Sequence, residues 1–368
     1  MTIRRIRAFR QWQPFRDGTY ACSGGSAEGT DSTIVAVTDA DGVTGWGETA
    51  TLGAFYDPAF AAGLRAGLEE LAPRLVGGPT APAAVLRRAD QLLKGHPYVK
   101  APLDMALWDL AGRRAGAPLC ELLGGRHGDG VDLYNAIPAA APDAMAARAR
   151  TYRERGYRRL QVKLGEDPGR DAARLAAVRA EVGPDVPLFG DANGLYSTAQ
   201  ARQLLRAAAG IDFWLEQPCA TYAECRAVRE HCPVPMVLDE SIDSLEALVR
   251  AATDRVADGV TLKLARIGGI TRTALLRDAA VELGLHVTVE DTGGADLDTA
   301  AIAHVSLSTP ASHRLHTVDF NAWVTVANAS GVPVPHAGAI GAPDGPGLGV
   351  AVDETALGEP FAVARAPR

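Results

Sequence analysis

The chain has 368 residues, 47% hydrophobic and 22% charged, proportions that fit a packed globular protein and exclude disordered, collagenous or coiled-coil readings. Lys and Arg number 37 against 44 Asp and Glu, a net charge of −7 that lacks the basic footprint of a nucleic-acid binder and points to a small-molecule partner. No apolar run reaches the roughly 18 residues needed to cross a bilayer, and Cys22, Cys120, Cys219, Cys225 and Cys232 form no CxxC pair, so a reduced, cytoplasmic protein without membrane contact is expected.

In chain order, residues 1–49 read as strands with a hairpin turn at Asp41-Gly42. The Gly-, Ser- and Asp-rich stretch about residues 15–31 reads as a lid loop. Helical periodicity runs through 57–123 and closes on Gly116 with Pro118 beyond. The break LLGGRHGDG at 122–130 separates an α+β capping domain, 1–125, from a second unit, 126–335. There, seven short apolar runs alternate with amphipathic helices, and an eighth run lies near SHRLHTVDF. Parallel strands with helical crossovers in that number predict an α/β barrel rather than an open sheet. Residues 336–368 fit no barrel unit and are expected to return to the capping domain.

Charged residues recur at the ends of the barrel strands: Lys163, Asp191, Glu216, Asp239, Lys263 and the Glu290-Asp291 pair. Neighbours in this series are about one βα repeat apart, so the side chains converge on the C-terminal face of the barrel, where barrel enzymes place their chemistry. Asp191, Glu216 and Asp239 would repel one another unless a cation joined them. An all-oxygen donor set without His or Cys suits Mg²⁺, with Mn²⁺ second. Lys163 and Lys263 stand on strands two and six, across the barrel mouth, where one can act as base and the other as acid. A lysine base requires a lowered pKa, expected here from the metal and the second ammonium. The histidines at 286, 304, 313 and 316 match no metal motif and are read as structural, and Cys219 as a small buried thiol.

The segments GWGET (45–49), DMALWDLAG (104–112), QVK (161–163), DAN (191–193), LEQP (215–218), LDES (238–241), KLARIGG (263–269) and GPGLG (345–349) together resemble the muconate-lactonizing subgroup of the enolase superfamily over essentially the whole chain. The resemblance implies a modified (β/α)7β TIM barrel under an α+β cap. It also implies Mg²⁺ on Asp191, Glu216 and Asp239, and removal of the proton next to a carboxylate by Lys163 or Lys263. Gln161, Asn193 and Glu240 would support the ligands and lysines from behind.

Much of the subgroup carries Lys-x-Lys where this chain has Gln161-Val162-Lys163. That departure argues against the muconate cycloisomerase, succinylbenzoate synthase and acylamino-acid racemase activities. The chain looks most like the hydroxyproline betaine 2-epimerases and the cis-3-hydroxyproline dehydratases. The resemblance gives Tyr56 as a cage residue for a substrate ammonium, Phe320 (or Trp323) as a second cage residue, and Asp291 as its carboxylate partner. Thr292-Gly293-Gly294 is closer to the dehydratases.

The leading expectation is therefore Mg²⁺-dependent 2-epimerisation or racemisation of a proline-like amino acid or betaine by two facing lysines. Dehydration of cis-3-hydroxy-L-proline is the alternative, and a metal- and ligand-binding barrel without turnover a third. The expected partner is a small carboxylate bearing an ammonium group, and the expected assembly a homo-oligomer.

Overall fold

The first strand is buried on both faces: along Ile3–Pro14 (β1), Ile3, Ile6 and Ala8 pack into one apolar cluster and Phe9, on the opposite face from Ala8, into another. In the computed structural model, which describes residues 1–22 and 25–367, β1 pairs antiparallel with Gly29–Asp39 (β2), and β2 with Thr44–Thr51 (β3). Helices Ala61–Leu75 (α1), Pro82–Leu92 (α2) and Pro97–Ala115 (α3) pack on this sheet through Leu64, Leu68, Leu71, Val99, Leu103 and Leu107. The approach of β3 to α3 is close enough that a Cβ on Gly45 or Gly47 would run into the helix backbone at Ala106 and Pro102. Glycines 45 and 47 of GWGET are thus a packing requirement.

The lid stretch is more ordered than its composition suggests. Tyr20–Cys22 and Gly25–Ala27 pair as a small hairpin, and β2 already begins at Gly29. Positions 23 and 24 lie outside the described residues, as does the terminal position 368.

Seven parallel strands follow: Tyr134–Ile137 (β4), Arg159–Lys163 (β5), Leu188–Asp191 (β6), Trp214–Glu216 (β7), Met236–Leu238 (β8), Gly259–Lys263 (β9) and His286–Glu290 (β10). They are hydrogen-bonded in sequence order. The expected eighth strand is reduced to two parallel bridges, Val287 with Arg314 and Leu133 with Thr317, which join β10 back to the start of β4 and close the barrel. Its helices are Pro142–Glu154 (α4), Pro168–Val182 (α5), Thr198–Ala207 (α6), Tyr222–Arg229 (α7), Leu245–Thr253 (α8), Ile270–Glu282 (α9) and Asp296–Leu307 (α10). Capping boxes start α6 (Ser197 with Gln200) and α7 (Thr221 with Glu224), and fix where each βα loop ends. The chain closes with Ala362–Arg365 (β11), antiparallel to β1.

Carboxylates tie the cap to the barrel and to the C-terminal segment. Buried Glu48 accepts bonds from the backbone amides of Ala295 (3.1 Å) and Asp298 (3.2 Å). Asp109 of α3 accepts from the amides of Trp46 (2.9 Å) and Leu348 (2.7 Å), so three of the sequence motifs meet at one side chain.

Candidate active site

The register of the barrel strands puts the charged residues on one level. Lys163 is paired with Asp191, Asp191 with Glu216, and Lys263 with Glu290 across their ladders. Asp239 follows two residues after Val237, the partner of Glu216, and so returns to the same face. Gln217 locks this arrangement: its side-chain oxygen accepts the backbone amides of Asp239 (3.0 Å) and Ser241 (3.2 Å).

Each acid has a specific partner. Lys163 Nζ lies 2.5 Å from Asp191 and donates to Asn193 at 3.2 Å. Asn193 in turn donates to Glu240 at 3.0 Å. Glu216 accepts from Gln161 Nε2 (2.8 Å) and Thr261 Oγ1 (3.0 Å). Lys263 Nζ lies 2.9 Å from Asp239 and 3.3 Å from Glu290, and is hydrogen-bonded to the hydroxyl of Tyr56. Arg266 bridges Asp239 and Asp57, and Tyr134 donates to Glu290 at 2.7 Å.

These acids outnumber the cations, and the charges respond. Burial, reinforced by the charges of Asp191, Asp239 and Glu290, raises the Glu216 carboxyl well above the ordinary range. Burial and the charges of Asp239 and Asp191 push Glu240 up to about 8, and its Oε2 is buried without a partner. Burial raises Asp239 too, but Arg266 and Lys263 outweigh it and hold the group at about 2.

The two lysines are set by their carboxylate neighbours. Burial favours their neutral forms, yet Asp191 beside Lys163 and Asp239 beside Lys263 dominate, so both ammonium groups are held well above their usual range rather than below it. Lys163 and Lys263 thus pair directly with Asp191 and Asp239.

The expected residues divide by position. A cavity of about 40 Å³, room for a few waters, is lined by Tyr56, Gln161, Lys163, Asp191, Lys263, Asp291 and Phe320. Trp323 also lines it, with its ring 5.4 Å from that of Phe320, so both candidate cage positions face the site. Glu216, Asp239, Asn193 and Glu240 are not on its wall. The oxygens of Asp291 accept the amides of Ala265 (3.0 Å) and Thr292 (2.8 Å), while burial, against those amides, pushes the group up to about 7. Phe15 and Tyr20, from the stretch expected to form a lid, complete the cover.

Tyr134, Thr261, Gln217 and Arg266 were not singled out in the sequence. Thr261 shares the strand phase of Lys263, two residues on, which is the signal that could have found it. Arg266 lies in a helical turn after the strand and carries no such phase.

A divalent cation fits the donor chemistry. The oxygens stand at consecutive strand ends, Glu240 Oε2 lacks a partner, and the carboxylates are short of positive charge. Among the described residues, however, no three His, Cys, Asp or Glu side chains converge into a ready-made cage.

Residues 11–124 match the mandelate racemase / muconate lactonizing enzyme N-terminal domain family, and residues 144–356 match the family described as enolase C-terminal domain-like. The chain is an enolase-superfamily enzyme. This enolase-superfamily chain is 40% identical, over 98% of its length and 99% of the relative's, to cis-3-hydroxy-L-proline dehydratase of Roseibium aggregatum. It is 29% identical to L-Ala-D/L-Glu epimerase of Bacillus subtilis over 87% of its own length and 89% of the epimerase. The crystal structure of an enolase-superfamily member from Roseovarius nubinhibens complexed with magnesium superposes with a TM-score of 0.94 at 35% identity, covering 99% of this chain and all of that one. No helix among the described residues is long and apolar enough to cross a membrane.

Proposed function

We propose that this enzyme removes the α-proton of a small cyclic amino-acid carboxylate in a Mg²⁺-dependent reaction and then expels a β-hydroxyl as water, as a cis-3-hydroxy-L-proline dehydratase does. The observation that carries the reading is full-length similarity at 40% identity to a dehydratase of that specificity, combined with two buried lysines on strands separated by three others. Thr292-Gly293-Gly294, noted above as closer to the dehydratases, lies beside this site, with Thr292 and Gly293 on the cavity wall.

Asp191, Glu216 and Asp239 would hold the cation, with Gln161 and Thr261 fixing the two oxygens of Glu216. The bound cation would offset the second negative charge that gathers on the substrate carboxylate as its α-proton departs. Asp191 and Asp239 would hold the cation in place of Lys163 and Lys263, and the positive charge beside them would favour the neutral form of a lysine base. The base takes the proton from Cα. The C–O bond at Cβ then breaks with its electron pair, and the opposite ammonium supplies the proton that makes the leaving group water. The remaining enamine tautomerises to a cyclic imine.

Epimerisation is the second reading, favoured by the same placement of lysines at opposite sides of the mouth: the far ammonium would return a proton to the other face of Cα. Incubation of the enzyme and Mg²⁺ in deuterated water with cis-3-hydroxy-L-proline and, separately, L-proline and its betaine distinguishes them. Consumption of the hydroxyproline to a cyclic imine supports elimination. Deuterium at Cα with both stereoisomers recovered supports inversion, and no reaction with any of the three sinks both.

A further inference from the structure

Outside the barrel wall lies a second, larger cavity of about 400 Å³, bounded by β4, α4 and the stretch 15–20. The chain leaving the closing segment of the barrel makes only the short helical turn Phe320–Trp323, where a complete eightfold barrel would carry its last helix. The chamber opens beside this turn and shares Phe15, Tyr20 and Trp323 with the candidate active site as a common wall.

Its chemistry is asymmetric. Asp319, 1% exposed, accepts hydrogen bonds from the Tyr157 hydroxyl at 3.2 Å to each oxygen, and among the described residues no Lys, Arg or His pairs with it. A buried carboxylate lacking a counter-ion is an expensive arrangement unless a ligand supplies the charge. Tyr152 and Tyr157 meet edge to face (5.9 Å between ring centres), and Trp323 stands beside Tyr20 (5.8 Å), so the walls are aromatic. Rings around an anion select an organic ammonium. At the rim the exposed Arg148 has, among the described residues, no carboxylate within ion-pairing distance, whereas its neighbour Arg155 is matched by Asp17 at 3.4 Å.

We propose that this chamber binds a small zwitterionic amino or imino acid, with its ammonium on Asp319 between the rings of Tyr152, Tyr157 and Trp323, and its carboxylate toward Arg148. A simple anion is disfavoured by Asp319, and a metal ion by the lack of a second buried carboxylate on the chamber wall. An occupant would brace the 15–20 stretch, whose Phe15 and Tyr20 also line the candidate active site. The inference stands whichever reaction the active site performs.

Isothermal titration calorimetry on the full chain with L-proline, L-serine and glycine betaine tests it. At least one of the two amino acids should bind, with affinity reduced tenfold or more in Asp319→Asn and about fivefold in Arg148→Gln. Glycine betaine, which has no N–H to donate to Asp319, should bind more weakly than L-proline. Arg148 is exposed, so its variant decides the matter even if Asp319→Asn does not fold. Affinities unchanged in the folded variants, or no heat with any of the three probes, overturn the proposal.

Discussion

Asp104, on the long helix of the cap, accepts hydrogen bonds from both the backbone amide (2.8 Å) and the hydroxyl (2.6 Å) of Thr271, at the start of the barrel helix that follows Lys263. Trp108, one turn further along the same helix, donates to that hydroxyl at 2.8 Å. The join is buried, and burial, against the Thr271 bonds, raises the Asp104 carboxyl to about 6. A folded-state pKa above the ordinary 3.8 means the native protein binds more proton than the unfolded chain between those values. The contribution of Asp104 to stability is therefore full below pH 4 and falls as pH rises to about 6. Asp104→Ala should destabilise the fold by about 1–3 kcal/mol in urea denaturation. Asp104→Asn should flatten the pH dependence of the midpoint in that window, and an unchanged slope counts against the assignment.

Gln161 marks the chain's departure from Lys-x-Lys, and its amide is bonded to Glu216 at 2.8 Å. Removing a group that orients a ligand typically lowers metal affinity by about 10- to 100-fold. Gln161→Ala should raise the Mg²⁺ concentration for half-maximal activity by that factor while thermal unfolding of the metal-free protein moves little. Chelation should abolish turnover, with Mg²⁺ restoring it and Mn²⁺ as the next best metal.

The two lysines should separate in isotope exchange. General base catalysis contributes roughly 10²–10⁴-fold, so Lys163→Met and Lys263→Met should each lose at least a hundredfold in turnover. If elimination is the reaction, one variant alone should retain exchange of the α-proton with deuterated water, because it keeps the base and lacks the acid. Retention of full turnover by either variant would remove the two-lysine mechanism.

Much of this architecture was legible from spacing, because every barrel strand that ends in Lys163, Asp191, Glu216, Lys263 or Glu290 repeats the same strand-to-helix punctuation. What the sequence could not show was competition. The approach of Lys163 to Asp191 and of Lys263 to Asp239 depends on side-chain geometry across strands, and these carboxylates hold both ammonium groups above their usual range. Motif residues such as Glu48, Asp104 and Asp109 gave no sign in the sequence that they bind distant backbone amides, since those partners lie 63 to 250 positions away. The eighth strand was readable only as an apolar run, because two bridges leave little periodicity.

Tyr56 offers the most direct test of how the cap admits substrate. Tyr56 lines a cavity of about 40 Å³, smaller than a proline-sized molecule, with its hydroxyl on Lys263, and its ring is expected to move aside as substrate enters. In the proposed complex the displaced ring presents its face to the substrate ammonium, an interaction of about 0.5–2 kcal/mol, and 1.4 kcal/mol corresponds to tenfold in affinity. Tyr56→Ala loses that face and should raise KM about tenfold with a smaller change in kcat. Tyr56→Phe keeps the face and loses the bond to Lys263, so its KM should stay within about threefold of the parent. Steady-state kinetics of the two variants side by side decides between ring and hydroxyl: an equal rise in KM for both would assign the effect to the hydroxyl and remove Tyr56 from the ammonium cage.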